Sequence, residues 1–242
     1  MTEAVIEAVN IGKVLGSGAA QVRALKSVDL SLRGGELTLL MGPSGSGKTT
    51  LLSILGCILT PTEGTIRVRG VSTDGAGPEV LAKLRRDHVG FVFQSYHLFP
   101  TLTAADNVRL TLDVRGEHRA RAKAKSSEAL AKVGLSHKRS SYPRELSGGE
   151  QQRVAIARAV VGNPSVILAD EPTAALDSEN GKAIMTILAD IAKDASRGVL
   201  VVTHDPRLVP FADRIVYIED GSIVREQSRD AARTLHEMLG RA

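Results

Sequence analysis

Short apolar runs bounded by turn residues recur along the chain, and their spacing predicts strands interleaved with helices. Val28, Leu30 and Leu32 alternate with Asp29 and Ser31, the period of a half-buried strand, and the first forty residues read as an antiparallel β region. Arg33, Gly34 and Gly35 make a turn, and residues 37–41 form a short, almost wholly apolar strand of the kind covered on both faces. A Gly-rich loop at 42–47 then opens a helix carrying Leu51, Leu52, Ile54 and Leu55. A turn at 61–64 precedes an alternating strand at 65–69, and another apolar strand at 89–93 ends at Gln94.

From Thr103 to about Val161 the period becomes helical. Thr103 with Asp106 three positions on resembles a helix-start box with Asp replacing the usual Glu or Gln. Residues 120–133 are rich in Ala, Lys and Arg, good helix formers. Pro143 breaks the pattern and a helix restarts near Gly149. Strands at 165–169 and 199–203 then flank an amphipathic helix at 178–195. Asp220 and Gly221 between two apolar runs signal a hairpin. Residues 229–239 read as a closing helix. The alternation predicts an α/β fold with a mainly parallel sheet and helices on both faces, an N-terminal antiparallel β subdomain, and an inserted helical subdomain.

Composition narrows the class without naming a chemistry. The 242 residues are 43% hydrophobic and 24% charged, which excludes wholesale disorder. No run approaches the ~18 apolar residues of a membrane-spanning helix. The N-terminal residues lack the basic-then-apolar pattern of a signal peptide. The one cysteine, Cys57, reads as a buried inert thiol in a reducing compartment. Net charge is +4, far from the strongly basic signature of a nucleic-acid domain, and aromatics at 3% leave no base-stacking row. Arg115, Arg119, Arg121, Lys123 and Lys125 cluster; they read as a solvated helix face, or alternatively as a contact for acidic lipids or an acidic partner.

The candidate chemistry begins in the Gly-rich loop. Gly42, Pro43, Ser44, Gly45, Ser46, Gly47, Lys48 and Thr49, followed by Thr50, match G-x-x-x-x-G-K-[ST]. Small residues let successive N–H groups turn inward around phosphate oxygens, and the following helix points its positive end at the same place. Lys48 can place its charge near the β- and γ-phosphates, and the Thr49 hydroxyl can ligate Mg²⁺. Asp170 and Glu171 end an apolar strand: Asp170 stands where a Mg²⁺-holding aspartate is found, and Glu171 where a carboxylate could direct a water at the γ-phosphate. His204 also follows an apolar strand, and Gln94 ends another, where its amide could touch Mg²⁺ or the attacking water. Ser147, Gly148, Gly149 and Glu150 form a second anion-binding turn opening a helix, and spacing alone gives no reason for two phosphate sites so far apart.

Taken in order, the loop at 42–50, Gln94, the 146–150 turn, the 166–171 strand, residues 175–177 and His204 resemble the nucleotide-binding subunits of ABC transporters over essentially the whole chain. That resemblance implies a RecA-like P-loop core at about 1–94 and 162–242 within one domain spanning 1–242, with the helical subdomain at about 95–161. It implies two copies stacked head to tail, with the loop of one and Ser147 of the other enclosing each ATP. It makes Glu171 the catalytic carboxylate, His204 a γ-phosphate sensor and Asp177 a cross-dimer contact. The stretch at 94–100 becomes a docking surface for an integral membrane permease subunit. The chain would then sit in the cytoplasm, peripheral on the inner face of the membrane.

The run at 24–30 and the residues after the 146–150 turn look like one exporter-associated branch, which includes lipoprotein-releasing, macrolide-export and heterocyst glycolipid ATPases. Through the permease, that branch implies a periplasmic adaptor. One departure is that Leu15 stands where the family usually has an aromatic on adenine, which implies weaker base stacking and looser preference for ATP over GTP. Rival readings are an ATPase that signals to a membrane partner without transport (as in cell division), a soluble ATPase on DNA or ribosomes, and a P-loop kinase. The last leaves Ser147 to Gly149 unexplained.

Overall fold

The computed structural model describes residues 4–228. Its first sheet grows from a long hairpin, β1 (Ala4–Leu15) and β2 (Val22–Arg33), joined by β4 (Glu63–Val68) and β5 (Val71–Ser72) in the order β2-β1-β4-β5. All three pairings are antiparallel. Ile6, Ala8 and Ile11 from β1 and Leu25, Val28, Leu30 and Leu32 from β2 are buried. Asn10 and Ser27 interrupt the ladder with positive φ angles, and their side chains bond to each other across it. The hairpin ends at the pair Leu15–Val22.

The second sheet contains β3 (Leu37–Met41), β6 (Val89–Val92), β7 (Val166–Asp170), β8 (Gly198–Thr203), β9 (Arg214–Glu219) and β10 (Ser222–Ser228) in the order β10-β9-β3-β8-β7-β6. The first five are parallel and β10 runs antiparallel to β9. The β9–β10 turn uses Asp220 and Gly221, both at positive φ as a two-residue hairpin demands. β3 and β8 are buried at every position, which explains why they read as continuous apolar runs.

A strict period of two survives beneath those runs. Leu37 and Leu39 of β3, Ile167 and Ala169 of β7, and Val199 and Val201 of β8 join one hydrophobic cluster. Leu40, Val166, Leu168, Leu200 and Val202 join the other. The first cluster is roofed by α3 (Ala104–Val114), α4 (Arg119–Lys132), α5 (Gly148–Val160) and α6 (Ser178–Ala192). The second is closed by α1 (Lys48–Leu55) together with the antiparallel sheet. One face of the parallel sheet is therefore covered by a helix and a second sheet rather than by helices alone.

A further helix, α2 (Pro78–His88), leads into β6 and was not expected from apolar spacing, since Leu84 is its one buried residue. Its signals are chemical: Pro78 at the first turn with Glu79, and Arg85, Arg86 and His88 in the last. α6 stops at Ala192, three residues short of the expected 195. The basic cluster is largely a solvated face, with Arg121 and Lys125 both paired to Glu117 at 3.6 and 2.5 Å. Arg115 instead turns inward to the carbonyls of Gly162 and Arg86. Cys57 is buried, and burial pushes its thiol pKa up. The closing helix expected at 229–239 lies outside the described residues.

Candidate functional site

Parallel strands aim the residues that follow them at one edge of the sheet, which is where open α/β folds bind ligands. Here β3 leads to the Gly42 loop, β7 to Asp170 and Glu171, β8 to His204, and β6 to Gln94. Because Asp170 pairs with Val202 and Met41 with Thr203, those ends meet in one place. The result is a cleft of about 860 Å³. Its walls include Pro43, Ser44, Gly45, Gly47, Lys48, Thr49 and Thr50 from the loop and α1, with Gln94, Asp170, Glu171 and His204 opposite.

The loop's sequence follows from its crowding. A side chain at Gly42 would lie 2.1 Å from the Ile218 carbonyl oxygen. Gly47, at φ +100, would meet the Ala24 carbonyl at 2.6 Å while serving as the N-cap of α1. Glycine meets both demands, close approach and a left-handed backbone. Gly42 and the buried Ser46 support the loop from beneath rather than lining the cleft.

Lys48 folds into the loop, donating to the carbonyls of Gly42 and Pro43 at 2.8 and 2.6 Å. Burial lowers its pKa, and the nearby carboxylates of Glu171 and Asp170 oppose that shift. Asp170 has the reverse problem. Burial pushes its pKa up, the Thr49 hydroxyl at 3.5 Å pulls it down, and the Glu171 charge raises it again. Glu171 sits at φ +45, with its amide bonded to the Val202 carbonyl at 3.0 Å. One carboxylate oxygen lies 2.6 Å from His204 Nδ1 and the other accepts from the Thr203 hydroxyl at 3.3 Å. His204 remains mostly exposed and lines the cleft.

The second anion turn lies elsewhere. Ser147 is the N-cap of α5, and the capping is reciprocal: its hydroxyl accepts from the Glu150 amide at 3.3 Å, and its own amide donates to the Glu150 carboxylate at 2.8 Å. Gly149 is pressed against α6, where a side chain would meet Asn180 Oδ1 at 2.5 Å. Gly148 faces the Tyr96 hydroxyl. Asp177 caps α6, accepting from the amides of Glu179 and Asn180 at 3.0 and 2.9 Å. None of Ser147, Gly148, Gly149, Glu150 or Asp177 lines the cleft of the same chain.

Sequence reasoning missed part of the wall. Arg23, Lys26, Asp220 and Gly221 also line the cleft, delivered by β2 and by the β9–β10 turn. The Lys26 amide donates to the Gly221 carbonyl at 2.7 Å, which ties those two segments together. A strand and a hairpin read one at a time carry no sign that they meet. Leu15 and Val22 border the same cleft and make an apolar rim, with no aromatic among the described residues that line it.

A Gly-rich loop opening a helix at the carboxyl ends of parallel strands, with a strand-end aspartate opposite, is a P-loop nucleotide site. The model of the ABC transporter family matches residues 25–174, and the chain belongs to that family. It is 46% identical over 238 residues to the macrolide export ATP-binding/permease protein MacB of Salmonella typhi, covering 95% of this chain and 37% of that protein. The chain thus spans little more than a third of the length of that two-part relative. It is 44% identical to an ABC transporter ATP-binding protein of Methanocaldococcus jannaschii, MJ0796, covering 90% of this chain and 94% of that one.

Among solved structures, the ATP-binding cassette MJ0796, in a dimeric post-hydrolysis state bound to ADP and Pi, superposes with a TM-score of 0.84 at 41% identity. The match covers 93% of this chain and 98% of that one. CbiO1 of Clostridium perfringens, part of the ABC transporter complex cbiONQ, matches with a TM-score of 0.87 at 26% identity, covering 98% and 94% of the two chains. Among the described residues, no helix is long and apolar enough to cross a membrane.

Proposed function

We propose that this chain binds MgATP, hydrolyses it, and couples closure of two copies over the nucleotide to a separate integral membrane permease of an export system. The observation that carries the reading is the division of the chemistry within one chain. The cleft holds the loop, Asp170, Glu171, His204 and Gln94, while Ser147 and its amide-rich helix start lie outside it. A head-to-tail pair would bring the second anion turn to the first, as the dimeric state of MJ0796 makes reasonable for this family.

In this reading the loop amides and Lys48 hold the phosphates and stabilise charge that develops on the γ-phosphoryl group. Glu171, fixed by Thr203 and His204, accepts a proton from the attacking water, and His204 senses the γ-phosphate. Ser147, Gly148, Gly149, Glu150 and Asp177 act on the nucleotide of the facing copy. Thr49, Asp170 and Gln94 suit Mg²⁺, being hard oxygen donors beside a phosphate loop and too few to cage the ion alone. When bound, Mg²⁺ would neutralise charge on the β- and γ-phosphates.

The whole of 1–242 is read as one cassette, with 95–161 as the helical subdomain and the surface at 94–100 facing the permease. Phe99, half exposed there, fits that role. The exporter branch extends the proposal to a periplasmic adaptor reached through the permease, a location on the inner face of the membrane, and no nucleic-acid partner. The direct test is nucleotide titration of Lys48→Ala. Losing one or two charge-assisted contacts should weaken ATP binding by about 10- to 100-fold. Unchanged affinity would remove the phosphate-loop assignment.

A further inference from the structure

Helix α5 carries Ser147 at its N-cap and, further along, a fully buried amide. Gln152 is 0% exposed, and its Nε2 donates to the Pro172 carbonyl at 2.7 Å. Chemistry settles the amide's orientation, because a carbonyl only accepts and the NH₂ group must face it. The opposite atom, Oε1, is then buried with no donor among the described residues. A buried polar atom without a partner is uncommon in folded proteins, and an apolar side chain of similar length would leave none. What the amide does contact is therefore informative.

Pro172 directly follows Glu171, whose φ of +45 is a conformation that non-glycine residues adopt only when the surroundings impose it. Three hydrogen bonds to its backbone hold the turn here. The Glu171 amide donates to Val202 at 3.0 Å, the Glu171 carbonyl accepts from Ala174 at 3.2 Å, and the Pro172 carbonyl accepts from Gln152. The first comes from the neighbouring strand and the second from the turn itself. Only the third reaches the turn from another helix, the one that begins at Ser147.

We propose that Gln152 is a positioning residue for ATP hydrolysis: its amide holds the turn that aims Glu171 and ties that turn to the helix capped by Ser147. Gln152 does not line the nucleotide cleft, so on this proposal its effect on hydrolysis runs through the Glu171 turn that it holds. The inference rests on the reading of Glu171 as the carboxylate that directs the water.

The test is steady-state and single-turnover hydrolysis of MgATP by the purified full chain as Gln152→Met, Glu171→Gln and the double variant. Displacing a catalytic group by a fraction of its reach lowers turnover without weakening binding, so Gln152→Met should lose about 10- to 100-fold in kcat with KM for ATP held within about twofold. Added to Glu171→Gln, the same substitution should change the residual rate by less than about twofold, since its effect runs through the missing carboxylate. Gln152→Glu should recover toward wild type as pH falls, because a protonated carboxyl can donate to the Pro172 carbonyl and a carboxylate cannot. Wild-type kcat in Gln152→Met, or an equal fall in both Glu171 backgrounds, overturns the proposal. Wild-type hydrolysis by Glu171→Gln alone would instead remove the role of Glu171 on which the proposal stands.

Discussion

Asp170 and Glu171 are adjacent carboxylates held in different environments. Asp170 sits at a strand end where burial disfavours its charge, and its folded-state pKa is raised. A carboxyl group with a raised folded pKa favours the fold while protonated and costs stability once pH rises through that value. Asp170→Asn should therefore melt higher than wild type near neutral pH without nucleotide, by roughly 2–4 °C per kcal/mol relieved, and the gain should vanish in acid. Thermal melts at two pH values check this, and a lower neutral melting point for the variant contradicts it. The same substitution should abolish Mg²⁺-dependent hydrolysis. At the rim, Leu15 and Val22 would offer a bound base apolar contact without a stacking face. Leu15→Tyr should raise the preference for ATP over GTP by about 2- to 10-fold in competition binding, because stacking rewards an aromatic face. Equal preference before and after would show that the rim does not read the base.

Elements differ in how openly they declared themselves, and the capping residues show why. Ser147 and Glu150 complete both halves of a capping box. Thr103 and Asp106 complete one: the Thr103 hydroxyl accepts from the Asp106 amide at 3.2 Å, but the shorter Asp106 side chain takes the hydroxyl proton at 2.6 Å instead of reaching the backbone. The Thr103 start was legible because capping is local chemistry, whereas the Ser147 start was legible as a Gly-Gly turn opening a helix. The central strands were legible because burial on both faces leaves an unbroken apolar run. α2 was not, since one buried leucine makes no periodic signal. Packing between elements is equally silent in sequence. Gly90 of β6 lies so close to α5 that a side chain would meet the Ala159 carbonyl at 2.4 Å, and backbone cannot move aside as a side-chain tip can. Gly90→Ala should thus destabilise the fold by about 1–3 kcal/mol in denaturant unfolding. A change below ~0.5 kcal/mol would mean that β6 and α5 can separate freely.

At the scale of the whole molecule, each motif could be placed on its element from sequence, but not whether the motifs meet. The cleft gathers residues from both ends of the chain, Leu15 to Gly221, through strand order. It leaves the Ser147 turn outside. On the proposed reading such an arrangement would supply half of a site twice over, and association of two copies would be a requirement for chemistry rather than an accessory. The direct measurement is the mass in solution of Glu171→Gln with saturating MgATP, by light scattering or sedimentation velocity. If Glu171 directs the water as proposed, removing its carboxylate while keeping the phosphate loop should trap the clasped state. The account predicts a stable species of twice the monomer mass that appears with ATP and disperses with ADP. A variant that binds ATP yet stays monomeric at saturation would contradict it.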